Sequence, residues 1–225
     1  MAKKEVKEKY YANKFNNVFG PMMGTPIGRI QFVALVNPQM KFQPPKFGAT
    51  FLFDKKDPAA KAALNKMIAE CSELKAFAES KGIDTEGFTV PPIQDGDDAK
   101  VSKYQGYAGS YYISAKNPQR IEVVDSQSKP IDAAMIMPGV LVRGVVTPII
   151  YADGFSWRLH VVQLVKDDGV RFHAGADPKS LLSALDVEET EAVVEEEIVV
   201  TPPETVVAAK SAPKKSGKQL AIGML

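Results

Sequence analysis

The segment Tyr104–Lys116 reads Tyr-Gln-Gly-Tyr-Ala-Gly-Ser-Tyr-Tyr-Ile-Ser-Ala-Lys and holds four of the seven tyrosines in the sequence. Its composition predicts a β-strand. Successive side chains of a strand point to opposite faces, so Ile113 and Ala115 should face a core while Tyr112 and Lys116 face solvent. A wet strand face with an aromatic ring beside a lysine can stack bases and hold phosphates. Tyrosine and isoleucine are also good strand formers, so an ordinary half-exposed strand explains this segment as well.

Further strands are predicted on both sides of this segment. Alternating apolar residues predict strands over residues 28–36 and 47–53, which should pair as neighbours. In the first of these, Ile30, Phe32, Ala34 and Val36 should share the core face. Later in the chain, residues 121–124 suggest a hairpin extension, and residues 140–151 and 155–166 suggest two long strands. The alternation of the last strand fails once, which predicts a β-bulge, and His160 should lie on its surface.

One long helix is predicted over residues 58–80. Asp57-Pro58 is typical of a helix start, and apolar residues including Leu64, Met67 and Cys71 then recur at helical spacing. Gly82 should end the helix in a left-handed conformation. Cys71 falls on the apolar stripe, so we expect a small core residue rather than a nucleophile.

This order of elements indicates the fold class. A helix between the early and late strands of a strongly curved sheet predicts a mainly β fold with one principal helix, an OB-like five-stranded curved antiparallel barrel. A β-sandwich fits the same pattern almost as well.

Charge is distributed unevenly along the chain. Residues 1–185 carry 24 Lys and Arg against 19 Asp and Glu, whereas residues 186–225 carry 4 against 8. We therefore predict a basic N-terminal arm over residues 1–24, one globular domain over residues 25–185, and a disordered tail over residues 186–225 that is acidic and then basic. A short helix is expected at residues 179–185, after Asp177-Pro178.

Several classes of protein are disfavoured by what the sequence lacks. It shows no signal peptide and no membrane-spanning run, so we expect a cytoplasmic protein with no membrane partner. One cysteine and two histidines leave little for a disulfide, metal or cofactor site, and the aspartates in residues 94–98 fit turns better than a calcium loop. No nucleophile elbow, phosphate loop or HExxH motif is present, so an enzyme is not expected.

The aromatic and basic residues on or beside the predicted strands form the candidate binding site. The residues predicted to stack on bases are Tyr104, Tyr107, Tyr112 and Trp157. Those predicted to bind phosphates are Lys46, Lys103, Lys116, Arg120, Arg143 and Arg158. Trp157 shares a strand face with Leu159 and Val161, so a core position is an equal alternative for this residue.

Several of these segments together resemble a known family. Residues 28–32, 47–57, 91–97, 107–115 and 124–131 are similar to phage-encoded single-stranded DNA-binding proteins over roughly residues 25–175. The resemblance implies an OB fold, sequence-tolerant binding of single strands exposed in phage replication or recombination inside a bacterial host cell, and no catalysis. Its binding surface would correspond to the residues around 107–116 and on the later strands.

The resemblance also indicates partners. Single-stranded DNA is the expected ligand, and phage or host replication proteins could be recruited through the tail, although the acidic run here is internal and not terminal. A homodimer is compatible with the sequence. The alternative function is a β-barrel structural or assembly protein of a virion, which would form a large oligomer without DNA.

Overall fold

The computed structural model describes residues 9–151 and 154–173. It contains one α-helix in that part of the chain, α1 (Pro58–Ser80), and a 3₁₀ turn at Ala133–Met135. The strands are β1 (Tyr11–Ala12), β2 (Val18–Phe19), β3 (Met23–Gly24), β4 (Gly28–Gln39), β5 (Lys46–Asp54), β6 (Gln94–Asp95), β7 (Ser110–Asn117), β8 (Glu122–Val124), β9 (Leu141–Tyr151) and β10 (Gly154–Lys166).

Five strands pair around a closed ring. The order is β9, β4, β5, β7, β10 and back to β9. Four of these pairings are antiparallel, but β7 and β10 run parallel, with Trp157 opposite Ala115 and Arg158 opposite Lys116. The predicted class, mainly β with one helix and OB-like, is confirmed; within the ring, the expectation of an antiparallel sheet is wrong at the pairing of β7 with β10.

The short strand β8 belongs to the hairpin extension predicted at residues 121–124. Val124 forms an antiparallel bridge with Pro130 across the polar turn, and the backbone N–H of Ile131 donates to the carbonyl of Val123 at 3.0 Å. The strand also pairs in parallel with β10, with Val162 opposite Val123, a pairing that the sequence did not predict. The strand thus lengthens the sheet beyond the ring, next to the second half of β10. Sequence alternation predicts a strand here but carries no information on its neighbour.

The helix agrees closely with its prediction. The carboxylate of Asp57 accepts a hydrogen bond from the backbone N–H of Ala59 at 2.8 Å, and Pro58 occupies the first turn. Gly82, just past the end, has the left-handed φ of 77° that glycine adopts without strain. Leu64, Met67, Cys71 and Leu74 are buried on the inner face of the helix. Burial raises the pKa of the Cys71 thiol to about 12, which fits its prediction as a core residue.

A β-bulge in β4 overturns the predicted alternation of that strand. Gln31 pairs with Thr50 and Ala34 with Gly48, so β4 holds one extra residue at this point. Phe32 adopts a φ of 49° within the bulge. Beyond it the inward face changes, so Phe32 and Val36 are exposed while Gln31 and Leu35 are buried. The predicted bulge of the last strand is confirmed: β10 has an extra residue, His160, between Leu159 and Val161.

The described part of the predicted N-terminal arm is attached to the sheet. β1 and β2 form a hairpin, and Val18 and Phe19 of β2 are buried and pair with Ile150 and Ile149 of β9. β3 pairs with β9 as well. Residues 1–8, the predicted helix at 179–185 and the predicted tail at 186–225 lie outside the described residues. No helix in the described ranges is long and apolar enough to cross a membrane.

Candidate nucleic-acid interface

A groove of about 580 Å³ crosses the outer face of the ring. It lies between the loop that joins β4 to β5 and the facing ends of β9 and β10. Its lining residues are Phe42, Pro44, Lys46, Val90, Lys116, Pro118, Ile149, Tyr151, Gly154, Phe155, Ser156, Trp157 and Arg158.

Strand register brings three predicted phosphate-binding residues to this groove. Arg158 of β10 is directly opposite Lys116 of β7, and Lys116 is opposite Gly48 of β5. Lys46 precedes Gly48 by two residues and therefore has the same strand orientation. A side chain at Gly48 would approach Cγ of Lys116 to 2.9 Å, so the glycine leaves room for the lysine to lie across β5.

Phe42, in the loop between β4 and β5, is the aromatic centre of the groove. The ammonium groups of Lys41, Lys46 and Lys116 lie 5.3, 5.4 and 4.8 Å from the centroid of its ring. These distances fall within cation–π range. Sequence analysis missed Phe42 because it belongs to no predicted strand; its position between two nearby lysines was the available signal.

Among the residues that the structure describes, the lining of the groove includes no acidic side chain. In residues 9–151 and 154–173, the cations that form ion pairs are Lys9, Arg29, Lys55, Lys75 and Arg171. None of them belongs to the groove. Burial, followed by repulsion from Lys41 and Lys46, lowers the pKa of the Lys116 ammonium. In the described ranges, positive charges are thus held together without counter-charges, an arrangement suited to binding an anion.

A second group of aromatic residues lies further along the same sheet face and is here called the aromatic cluster: Phe32, Tyr104, Tyr107 and Tyr112. Tyr104 is 36% exposed, and the Lys103 ammonium lies 5.4 Å from the centroid of its ring. Tyr112 is half-buried, and its hydroxyl donates to the side-chain oxygen of Gln94 at 2.6 Å.

Tyr107 does not fit its predicted role. It is only 3% exposed, and burial raises the pKa of its hydroxyl to about 12. The predicted strand begins only at Ser110, and residues 104–109 form turns instead, which fold Tyr107 against Phe32 and Tyr112. Phe32, exposed by the bulge in β4, presents an aromatic ring that the sequence pattern had assigned to the core.

The aromatic cluster and the groove belong to one continuous face. Tyr112, Ser114 and Lys116 point the same way along β7, and four residues of strand span about 13 Å. Between Tyr112 and Lys116, the hydroxyl of Ser114 lies 2.9 Å from the hydroxyl of Thr50 on β5. A polar strip therefore connects the two groups of aromatic and basic residues.

Three other predicted residues lie outside the groove or beneath it. Trp157 is 3% exposed, and its indole N–H donates to the carbonyl of Pro92 at 2.7 Å. Trp157 therefore packs in the core, the alternative that the sequence left open, on the strand face opposite to Arg158, and has no free face for stacking. Arg143 donates to the side chain of Gln163 at 2.6 Å, and this pair lies further along β9 and β10 from the groove. Arg120 is exposed in the turn after β7, two residues beyond the lining residue Pro118.

An OB-like ring whose outer face carries a basic, aromatic groove is the kind of surface with which OB-fold proteins bind single-stranded nucleic acid. Comparison with known families agrees: the family described as Enterobacter phage Enc34, ssDNA-binding protein, matches residues 23–189. The chain belongs to this family.

Proteins of two phages are among the solved structures with the same fold. The single-stranded DNA-binding protein of bacteriophage Enc34 in complex with ssDNA is 24% identical, with a TM-score of 0.52 over 72% of this chain and 97% of that one. The single-stranded DNA-binding protein gp2.5 of bacteriophage T7 is 18% identical, with a TM-score of 0.50 over 77% of this chain and 98% of that one. At these identities the likeness shows the fold. The comparison with curated proteins finds no match.

Proposed function

We propose that this protein binds single-stranded DNA without sequence preference and protects single strands during phage DNA replication or recombination. The observation that carries the proposal is the set of cations around Phe42 and Arg158, which have no ion-pair partner among the described residues. Family membership supports the same ligand. The protein would act as a binding protein rather than an enzyme, in the cytoplasm of the bacterial host.

The groove would hold the sugar-phosphate backbone by charge. Lys46, Lys116 and Arg158 would displace counterions from phosphates, a contact that is the same for every base. Aromatic rings on this face would then stack on bases, each contributing about 1–3 kcal/mol whatever the sequence. Phe42 is positioned to stack on a first base. Tyr104 and Phe32, on the other side of the polar strip, are positioned to stack on bases further along the DNA strand.

Two finer proposals concern other partners. Recruitment of replication proteins through residues 186–225 and formation of a homodimer remain predictions from the sequence. Both are separable from DNA binding, because the groove is formed within the described part of one chain.

The test is a titration of labelled oligo-dT and of a matched duplex with the full-length protein, followed by fluorescence anisotropy. We expect the single strand to be preferred. The triple variant Lys46→Gln, Lys116→Gln, Arg158→Gln should lose at least about 100-fold in affinity, since each charged contact contributes about 1.5 kcal/mol or more. Trp157, the sole tryptophan, precedes Arg158 in β10 and is among the residues next to the groove, so its fluorescence provides a second readout.

Matched controls make the result specific. Arg143→Gln removes an arginine outside the groove, and Lys66→Gln removes an exposed lysine of α1; both should bind like the wild type. Unchanged binding by the triple variant would contradict the proposal. A large assembly that forms without DNA, with no binding to oligo-dT, would instead favour the virion assembly protein.

A further inference from the structure

The hairpin formed by β1 and β2 carries exposed aromatic rings at the edge of the groove. We infer that this hairpin, residues 11–19, is a second stacking site that lengthens the single-stranded DNA path beyond the groove. The inference rests on the proposed function and adds to it. The family match begins at residue 23, so the hairpin lies outside the matched region.

Strand register places the hairpin on the same face as the groove. Tyr11 is opposite Phe19, Phe19 is opposite Ile149 of β9, and Ile149 is opposite Ser156 of β10. Residues opposite each other in a sheet point to the same face. Ile149 and Ser156 line the groove, so this row runs from the groove to Tyr11. The row that contains Arg158 and Lys116 lies two residues away along β10.

Side-chain contacts also link the groove to the hairpin. The Arg158 guanidinium lies 4.9 Å from the centroid of the Phe19 ring. The Tyr11 ring stacks on Phe19, with centroids 4.7 Å apart and an interplanar angle of 7°. Phe19 is buried, but Tyr11 remains 51% exposed. One face of the Tyr11 ring is thus covered by Phe19, and its opposite face is open to a base.

The hairpin turn presents a second ring. The Asn13 side chain accepts hydrogen bonds from the backbone N–H groups of Phe15 and Asn17 at 2.9 and 3.0 Å, which fixes the turn. Phe15 is 71% exposed at its tip, and the Lys14 ammonium lies 5.0 Å from the centroid of its ring. Exposed aromatic rings of this kind do not contribute to a core. An aromatic ring beside a lysine can stack on a base while the ammonium binds the neighbouring phosphate.

A second cavity links this tip to the groove. It measures about 520 Å³, and Phe15, Lys81 and Asp84 are among its lining residues. Tyr151 lines both this cavity and the groove, so the two are neighbours at the end of β9. A single strand of DNA that leaves the groove past Tyr151 therefore meets an aromatic surface, whose described lining residues include one cation, Lys81, and one acid, Asp84.

The experiment compares oligo-dT lengths, since only a long strand reaches the hairpin. Full-length wild type, Phe15→Ala, Tyr11→Ala and Lys14→Gln are titrated with oligomers of about 4 and about 16 nucleotides, the range of OB-fold site sizes. Each loss of a ring should weaken binding of the long oligomer by at least about fivefold and leave the short one unchanged. For the long oligomer, Lys14→Gln should make the slope of log affinity against log salt concentration shallower by about one.

Controls separate this inference from the proposed function. Met135→Ala removes an exposed apolar side chain that lines neither cavity, and Lys66→Gln removes an exposed lysine of α1; both should match the wild type. Because Tyr11 packs on Phe19 within the hairpin, the Tyr11→Ala result counts only if the variant unfolds at the same temperature as the wild type. Phe15→Ala, at the exposed tip, is the decisive variant. Wild-type binding of both lengths by Phe15→Ala and Lys14→Gln overturns the inference and leaves the groove intact. No binding of either length by the wild type overturns the proposed function as well.

Discussion

At the scale of single residues, Lys116 shows how binding and stability oppose each other. Its ammonium is half-buried beside Lys41 and Lys46, and burial and these neighbours lower its pKa. The charge is therefore unfavourable in the free protein and becomes favourable only when an anion arrives. We expect Lys116→Met to raise the melting temperature at neutral pH while weakening oligo-dT binding by about tenfold or more. Calorimetry and anisotropy on the same preparation check both effects.

The sign of the pH effect follows from the same pKa. The folded protein holds the Lys116 proton less tightly than the unfolded chain, whose lysine pKa is about 10.4. The contribution of Lys116 to stability should thus rise with pH in the alkaline window just below that value, as the unfavourable charge is lost, against the falling contributions of Cys71 and Tyr107, whose pKa values burial raises. Lys116→Met should remove this rise, while Lys66→Met, at an exposed site of α1, should retain it. An unchanged profile in Lys116→Met would show that the lysine charge carries no cost.

At the scale of elements, the side chains of Lys55 and Asp97 help to hold the turns that carry Tyr104 and Tyr107. Lys55 pairs with Asp95 and Asp97, and the Asp97 carboxylate also accepts the backbone N–H of Gly109 at 2.6 Å. Lys55→Met should loosen these turns, so hydrogen exchange at Gly109 should accelerate while exchange at Ile113 in β7 stays slow. Equal protection at Gly109 in both proteins would contradict this role for Lys55.

The contacts of Asp97 with Gly109 and Lys55 should also depend on pH. Hydrogen bonds from Gly109 and Lys55 lower the pKa of Asp97, so the folded protein holds its proton less tightly than the unfolded chain does. The stabilisation is complete above the unfolded carboxyl pKa of about 3.9 and is lost as the pH falls through the lower folded value. Protection of the Gly109 amide should fall over that acidic range, and Asp97→Asn should abolish the dependence.

Elements also show what the sequence could and could not predict. The helix was predictable because its cap, apolar period and terminal glycine are all local signals. The alternation of β7 likewise predicted Lys116, and that of β10 predicted Arg158, on the outer face. The bulge in β4 was not predictable, because one extra residue reverses the inward face without any marker in the sequence. Phe42 and Tyr11 were missed because a loop and a short hairpin have no strand period to analyse.

At the scale of the whole molecule, a modest net charge is concentrated by topology. The globular region has only a small excess of basic residues. Closing the ring brings β5, β7 and β10 together, so lysines and arginines distant in the sequence share one face, while other cations are held by aspartates and glutamates. The ring thus supplies a local positive field that net charge alone does not reveal.

This concentration of charge predicts the salt dependence of binding. Each phosphate neutralised on a single strand contributes about 0.7 to the slope of log affinity against log salt. Lys41, Lys46, Lys116 and Arg158 together give a slope of about −3, so affinity for a short oligo-dT should fall about 50-fold between about 50 and about 200 mM salt. The Lys46, Lys116, Arg158 triple variant should retain a slope of about −1 or shallower, whereas Arg143→Gln should keep the full dependence. Titration of each protein across that salt range measures the slopes directly. A flat slope for the wild type would mean that the groove cations do not contact phosphates, because counterion release is an unavoidable consequence of such contacts.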